Sequence, residues 1–225
     1  MENFSEVGLE SLQQKLLTMA SHAETAVNEA IQALQQRDAE LAQRVKEKDR
    51  AIDQFEVEID DLVIQLLTRA PLASNLRFVT IAMKISQDLE RIGDEATKIA
   101  KRARDLAHEP PVKVVLDLPR MAGLSLEMLK DALDAFVNRD SAGARAIIPR
   151  DKQVDGLNKQ IHNALAQHMV ETPETIARCL HLMVVAKSLE RIADHATNVA
   201  EDVVYLCEAQ DIRHTGMKSG APVPA

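Results

Sequence analysis

Apolar residues recur every three or four positions along most of this chain, which is the spacing of one face of an α-helix. The clearest run lies near the middle of the chain and comprises Ile85, Leu89, Ile92, Ala96, Ile99, Ala103 and Leu106. Runs of the same kind cover residues 41–66 and 147–165. The pattern predicts long amphipathic helices.

Residues that start or break helices fall between these runs. Asp38 and Asp140 each precede a run and are suitable N-caps. Thr172 is a predicted N-cap followed by Pro173, and Pro149 inside the fifth run is expected to kink or fray its helix. The signals together predict six helices, near residues 5–36, 38–69, 74–107, 117–138, 140–170 and 173–209.

The strongest break is the stretch from His108 to Pro111 at mid-chain. Three long helices joined by short turns pack antiparallel, so each half is predicted to be a three-helix bundle. The predicted fold is all-α, with two tandem bundles at 1–110 and 111–210. Residues 211–225 have no periodicity, and we expect a disordered tail there.

Composition narrows the class of protein. Apolar residues make up 46% of the chain but aromatic residues only 2%, which suits packed helices better than sheets. The net charge of −8 argues against binding to nucleic acid or directly to an anionic membrane. No run of 18 apolar residues occurs, so no transmembrane segment is expected. Cys179 and Cys207 are isolated, as in a reduced cytoplasmic protein.

A twelve-residue segment occurs twice. Residues 89–100 return as residues 189–200 with eight identical positions, and residues 49–53 return as 151–155. This is an internal duplication, and its two copies preserve acidic pairs spaced four apart. The repeated acids are Asp49, Asp53, Glu90 and Asp94 in the first half and Asp151, Asp155, Glu190 and Asp194 in the second.

Helical geometry places Glu90 and Asp94 one turn apart on an outer face, and Asp49 and Asp53 on the flank of the preceding helix. We therefore expect one acidic groove in each half. Like charges at this spacing are unfavourable, and a multivalent cation would relieve their repulsion. Oxygen ligands favour Mg²⁺, Mn²⁺, Ca²⁺ or ferric iron, with Zn²⁺ also feasible.

The alternative is a solvated helix face with ordinary ion pairs. Asp94 could pair with Lys98, and Glu190 with Lys187. These basic partners are not repeated between the halves, whereas the acids are, which favours metal binding. Arg91 and Arg191 repeat beside the acids, and we expect them to orient the motif or to extend their charged ends into solvent rather than to bind an acidic partner surface. His195, next to Asp194, is expected to be a surface residue.

The two copies of Leu-Glu-Arg-Ile-Gly/Ala-Asp followed by Ala-Thr, each preceded by an Asp-x-x-x-Asp motif, resemble the PhoU family. The resemblance covers about residues 5–210. It implies two tandem three-helix bundles and multinuclear metal clusters, here at the eight acids named above. Iron, zinc, manganese and magnesium are the candidate metal ions.

The resemblance also implies a function. PhoU-like proteins link the phosphate ABC transporter to a sensor histidine kinase, and restrain both the phosphate-starvation response and phosphate uptake. The expected partners are the kinase and the transporter's ATPase subunit. The expected state is a homodimer without enzymatic activity, cytoplasmic and peripheral to the membrane through protein partners.

Two other functions remain open. One is a purely structural helical scaffold. The other is a dimetal carboxylate enzyme, but the ferritin-like pattern needs Glu-x-x-His pairs inside a bundle, and Gly93 and Ala193 stand where those histidines would be.

Overall fold

A computed structural model describes residues 2–68 and 73–213 of the chain. Its α-helices contain nearly all of these residues, and no strand is found among them. They are α1 (Glu2–Gln36), α2 (Ala39–Leu67), α3 (Ala73–Ala107), α4 (Leu118–Asn138), α5 (Ser141–Ile147), α6 (Asp151–Glu171) and α7 (Ile176–Glu208). The all-α prediction is confirmed. The break predicted from His108 lies between α3 and α4.

The predicted fifth helix is interrupted at Pro149. Proline has no backbone N–H and clashes with the preceding turn of an α-helix. The chain responds with a short 3₁₀ turn at Ile148–Arg150, after which α6 continues. α5 and α6 together are therefore the counterpart of α2, and the interruption falls directly before Asp151.

The turns that enter α2 and α5 are built alike. Asp38 accepts hydrogen bonds from the N–H groups of Glu40 and Leu41 at 3.0 and 2.9 Å, and Asp140 accepts one from Gly143 at 2.9 Å. Both predicted N-caps are thus confirmed. The residues before them, Arg37 and Arg139, have φ angles of 56° and 51°, in the left-handed region that ends helices.

Thr172 stands at the N-cap position of a 3₁₀ turn that begins with Pro173, but it does not cap the α-helix as predicted. Its side chain makes no capping hydrogen bond, and Pro173–Thr175 forms a 3₁₀ turn before α7 begins at Ile176. The Thr172 carbonyl instead accepts hydrogen bonds from the backbone N–H and the hydroxyl of Thr175, at 2.9 and 2.7 Å. These bonds pair the backbone N–H of Thr175 within the turn, so the Thr172 hydroxyl is not needed to cap it.

Each half packs its helices around an aliphatic core. α1, α2 and α3 enclose side chains such as Leu16, Ile59 and Ile85, and α4 to α7 enclose side chains such as Met121 and Leu189, all fully or almost fully buried. Aliphatic burial of this kind is the dominant favourable term in folding.

α3 and α7 pack against each other and join the two halves, and several polar contacts cross this interface. Glu95 on α3 accepts from Lys98 at 2.9 Å and from Arg191 on α7 at 3.2 Å. Asp88 on α3 lies 2.8 Å from the Nδ1 atom of His195 on α7. These α3–α7 contacts place the two copies of the repeated segment side by side.

Two further expectations concern the ends of the chain and the membrane. Arg213 lies within the predicted tail and forms ion pairs with Asp211 at 2.7 Å and with Asp202 at 3.6 Å. Residues 214–225 of the predicted tail lie outside the described residues.

Among the helices of residues 2–68 and 73–213, none combines the length and apolarity needed to cross a bilayer.

Candidate functional site

The first acidic cluster is built where α2 and α3 approach each other at Gly93. A Cβ atom at this position would lie 2.8 Å from the Cδ1 atom of Ile52 and 3.1 Å from a carboxylate oxygen of Asp49. The absent side chain therefore allows Ile52 to pack directly on the α3 backbone. It also places Asp49 at the contact between the two helices.

In the second half, the corresponding contact between α6 and α7 is made by different residues. Val154 on α6 corresponds to Ile52, and Ala193 on α7 corresponds to Gly93; both are buried. The side chain on one helix is one carbon smaller, and that on the other is one carbon larger. Both halves thus keep close helix contact beside their acids.

Electrostatic effects indicate that the first four acids share one surface. Burial raises the pKa of Asp49, and the charges of Asp53 on the same helix and Asp94 on α3 raise it further. Burial and the charge of Asp94 likewise raise the pKa of Glu90, with a contribution from Asp53 on α2. Acids of each helix therefore act electrostatically on acids of the other, so the four lie in one electrostatic neighbourhood at the contact between α2 and α3.

The second cluster shows the stronger perturbation. Burial raises the pKa of Asp151 to about 6, with further contributions from Asp155, Asp194 and Glu190. Burial and the charge of Glu190 also raise the pKa of Asp194. The Oδ1 atom of Asp151 is buried, and no hydrogen-bond partner for it exists within the described part of the chain.

A repeated threonine lies beside each cluster. The hydroxyl of Thr97 offsets part of the upward shift in the pKa of Asp49, although the pair does not reach hydrogen-bond geometry. The hydroxyls of Thr97 and Thr197 are both buried and lack a partner among the described residues. Buried polar groups are normally hydrogen-bonded, so the first cluster has an unused hydroxyl oxygen, that of Thr97, beside its carboxylates.

Ion pairs neutralise these acids only in part. Arg91 lies 3.3 Å from both Glu90 and Asp94, and Lys187 contacts Glu190. The alternative of ordinary ion pairs offered one between Glu190 and Lys187, which is present. It also offered one between Asp94 and Lys98, which is absent because Lys98 contacts Glu95 instead.

Two acids that flank the repeated motifs, Glu56 and Glu95, were not included in the predicted clusters. Burial and the charges of Asp60, Asp53 and Asp94 raise the pKa of Glu56, so this acid belongs to the electrostatic neighbourhood of the first cluster. Its position three residues after Asp53, on the same helix face, is the signal that could have identified it. Glu95 is only 4% exposed and lies between the halves.

The surface position expected for His195 is wrong. Its side chain is 22% exposed and lies in the α3–α7 interface against Asp88. The repeat pattern showed only that His195 replaces Glu95, which is itself an interface residue.

The eight acids fit a hard cation in their chemistry and charge. Every donor is an oxygen atom, the acids repel one another, and one buried oxygen of Asp151 is unsatisfied. They do not form a complete coordination sphere, since no three His, Cys, Asp or Glu side chains in residues 2–68 and 73–213 converge as metal ligands.

Comparison with known proteins gives a consistent family. The model of the PhoU domain matches residues 16–103 and again residues 118–203. The phosphate-specific transport system accessory protein PhoU homolog of Pseudomonas putida is 41% identical, over 93% of this chain and 83% of that protein. The accessory protein PhoU of Escherichia coli K12 is 35% identical, over 92% and 87%.

Solved structures agree with the fold. The crystal structure of PhoU from Pseudomonas aeruginosa superposes with a TM-score of 0.87 at 39% identity, covering 91% of this chain and 99% of that one. The phosphate transport system regulatory protein PhoU from Streptococcus pneumoniae gives the same TM-score at 31% identity, covering 92% and 99%. The likeness extends over both halves.

Proposed function

The chain belongs to the PhoU family of phosphate-specific transport accessory proteins, and on that premise we propose that it is a metal-binding regulatory adaptor. It links the phosphate ABC transporter to its sensor histidine kinase. When phosphate is plentiful it holds the starvation response off and restrains uptake. It is cytoplasmic, acts as a homodimer, and reaches the membrane by contact with the kinase and the transporter's ATPase subunit.

One observation carries the metal-binding part of the proposal. In each half two acids from facing helices have a raised pKa, first through burial and then through the charges of neighbouring acids: Asp49 and Glu90 in the first half, and Asp151 and Asp194 in the second. An arrangement that costs free energy without a ligand, and occurs twice, is more consistent with a binding site than with a solvated surface. Structural ion-pair networks also perturb pKa values, but here most of the acids lack a basic partner among the described residues.

The residues that would hold the ions are the eight repeated acids. Asp49 and Asp53 on α2, or Asp151 and Asp155 on α6, would bind from one side of a groove. The glutamate and aspartate of α3 or α7 would bind from the other. A bound iron, zinc, manganese or magnesium ion supplies positive charge that removes the repulsion and ties the two helices together.

A regulatory role is supported over catalysis by the names of the relatives, which are accessory and regulatory proteins of phosphate transport. Long helical faces suit an adaptor, because partner helices and extended peptides can dock along them.

Replacing all eight acids by their amides tests the function in cells. We expect a constitutive phosphate-starvation response, measured with a reporter at high phosphate. The matched control replaces eight exposed acids outside the clusters by their amides, namely Glu24, Asp61, Glu109, Asp117, Glu127, Asp134, Glu171 and Glu174. The control should repress normally. Normal repression by the cluster variant would instead support a structural scaffold.

A further inference from the structure

The chain that connects the two halves, residues 110–117 between α3 and α4, forms no helix, turn or bend. Exposure alternates along it: Val112, Val114 and Leu116 are partly buried, whereas the residues between them are exposed. Alternation with a period of two is the geometry of a β-strand that has one covered face. Residues 112–116, which we call the linker segment, therefore run extended along the molecule.

Contacts with both halves hold the linker segment in place. Its covered side chains line an apolar crevice whose other walls include Leu34 on α1 and Leu182 on α7. Just before the segment, the carbonyl of Pro110 accepts a hydrogen bond from Arg178 on α7 at 2.7 Å. A segment that is already ordered loses little conformational freedom when it binds a partner.

The backbone of the linker segment is unpaired. Within residues 2–68 and 73–213, its N–H and carbonyl groups make no hydrogen bond to any other group of the protein. The row ends at Asp117, whose carbonyl accepts the N–H of Met121 in the first turn of α4 at 3.0 Å. Consecutive unpaired backbone groups on an extended chain are a template to which a second extended chain can add.

The exposed side chains indicate which extended chain fits. They are Lys113 and Val115 of the linker segment and Asp117 directly after it, and the Val115 side chain is 100% exposed. In antiparallel pairing with a second copy, with Val115 opposite Val115, Lys113 of each chain lies opposite Asp117 of the other. Such cross-strand pairs of opposite charge are favourable. The covered positions match as well, since Val114 then lies opposite Leu116.

Both charged residues are available for pairing between chains. Lys113 is exposed and forms no ion pair in the described part of the chain. Asp117 lies 3.5 Å from Arg120, in an ion pair whose side chains are 53% and 66% exposed. Exposed pairs of this kind contribute little to stability, so Asp117 can exchange Arg120 for the lysine of a second chain.

We propose that two copies of the chain dimerise through their linker segments, which pair antiparallel about Val115. This inference rests on the homodimer included in the proposed function and assigns a surface to it. The interface is isologous, because the same residues of both copies meet across a two-fold axis. Backbone hydrogen bonds hold the two segments together, and the pairs of Lys113 with Asp117 fix their register.

Charge reversal tests this pairing. Lys113→Asp and Asp117→Lys should each weaken the dimer about tenfold or more, because both ion pairs then become like-charge pairs. Mixing the two variants should restore the wild-type affinity, since each aspartate again faces a lysine. Sedimentation equilibrium of the full chain measures the dissociation constants. The matched controls are Lys101→Asp and Asp61→Lys, at exposed helix positions, alone and mixed, with an expected change below about twofold.

A cross-link tests the register. Residues directly opposite each other in an antiparallel pair have Cα atoms about 4.5–5.5 Å apart, within the range that a disulfide spans. Val115→Cys should therefore form a disulfide-linked dimer on mild oxidation, seen by non-reducing electrophoresis. The control Val170→Cys, at a position 79% exposed on α6, should stay monomeric under the same conditions. Circular dichroism verifies that every variant is folded.

The outcomes separate this inference from the homodimer on which it rests. A dimer that neither charge reversal weakens, or that Val115→Cys does not cross-link, has its interface elsewhere, which overturns the inference and leaves the homodimer standing. A wild-type chain that stays monomeric at every concentration overturns both. Equal effects of the variants and their controls would show that net charge, and not the linker segment, governs association.

Discussion

At the scale of single residues, the contact between Gly93 and Ile52 differs from its counterpart in the second half at both positions, and the two differences compensate in size. Gly93→Ala should leave the protein about 1–3 kcal/mol less stable than the control Gly123→Ala, because the new Cβ meets Ile52 at 2.8 Å. Nothing lies within 4 Å of a Cβ at Gly123, so this control should gain up to about 1 kcal/mol from helix propensity. Urea unfolding measures both.

The double variant Gly93→Ala with Ile52→Val copies the pair found in the second half, Ala193 and Val154. It should recover most of the loss, even though Ile52→Val alone removes a buried methyl group and costs about 0.5–1.5 kcal/mol. Additive effects of the two substitutions would show that the helices do not meet at this point as described.

The raised pKa of Asp151 predicts a pH dependence of stability. A carboxyl group whose pKa is higher in the folded protein stabilises the fold when protonated, so its contribution is lost as pH rises through about 6. In the presence of a chelator, Asp151→Asn should therefore be more stable than wild type at pH 7, by about 1 kcal/mol after allowing for solvent screening. Near pH 4 the two proteins should unfold alike. A variant that is less stable at pH 7 would contradict this.

At the scale of elements, the joint between α3 and α7 depends on Glu95. Its side chain is almost fully buried and accepts hydrogen bonds from Lys98 and Arg191. Glu95→Ala should destabilise the protein by about 1–3 kcal/mol, because the joint loses the buried carboxylate that accepts hydrogen bonds from Lys98 and Arg191. The control is Glu127→Ala on α4, whose side chain is 68% exposed, with an expected change below about 0.5 kcal/mol. If the two variants lost the same amount of stability in thermal unfolding, Glu95 would not stabilise the joint.

The helices were predictable, whereas the joint between the halves was not. Apolar spacing, the N-caps at Asp38 and Asp140, and Pro149 act locally, so sequence alone locates them. Glu95 and His195 became interface residues through the packing of one half on the other. Nothing in the helical period distinguishes an acid facing a second bundle from one facing water.

The candidate site divides in the same way. The duplicated acids were identified from sequence because repetition is visible there, and in the structure acids of neighbouring helices influence one another's pKa values. The ion pairs were only partly predictable: Lys187 pairs with Glu190 as expected, but Lys98 turns from Asp94 to Glu95. Long basic side chains reach several acids, and tertiary packing selects among them.

At the scale of the whole molecule, metal binding should be coupled to folding. An ion that binds only the folded state at a concentration 100 times its Kd adds about 2.7 kcal/mol to the free energy of unfolding. Adding Mn²⁺ to the metal-free protein should therefore raise the melting temperature, and the rise should be smaller at pH 5 than at pH 7.5 because protons compete for the carboxylates. An unchanged melting temperature at saturating Mn²⁺ would argue against binding within the folded bundles.

Elemental analysis of the protein purified without chelators tests the central claim most directly. It is run beside the variant in which all eight cluster acids are amides, with circular dichroism to verify that both are folded. We predict that the wild-type protein carries iron, zinc, manganese or magnesium at one or more ions per chain and that the variant carries none. A wild-type protein without bound metal, or a variant that retains the same amount, would contradict the account.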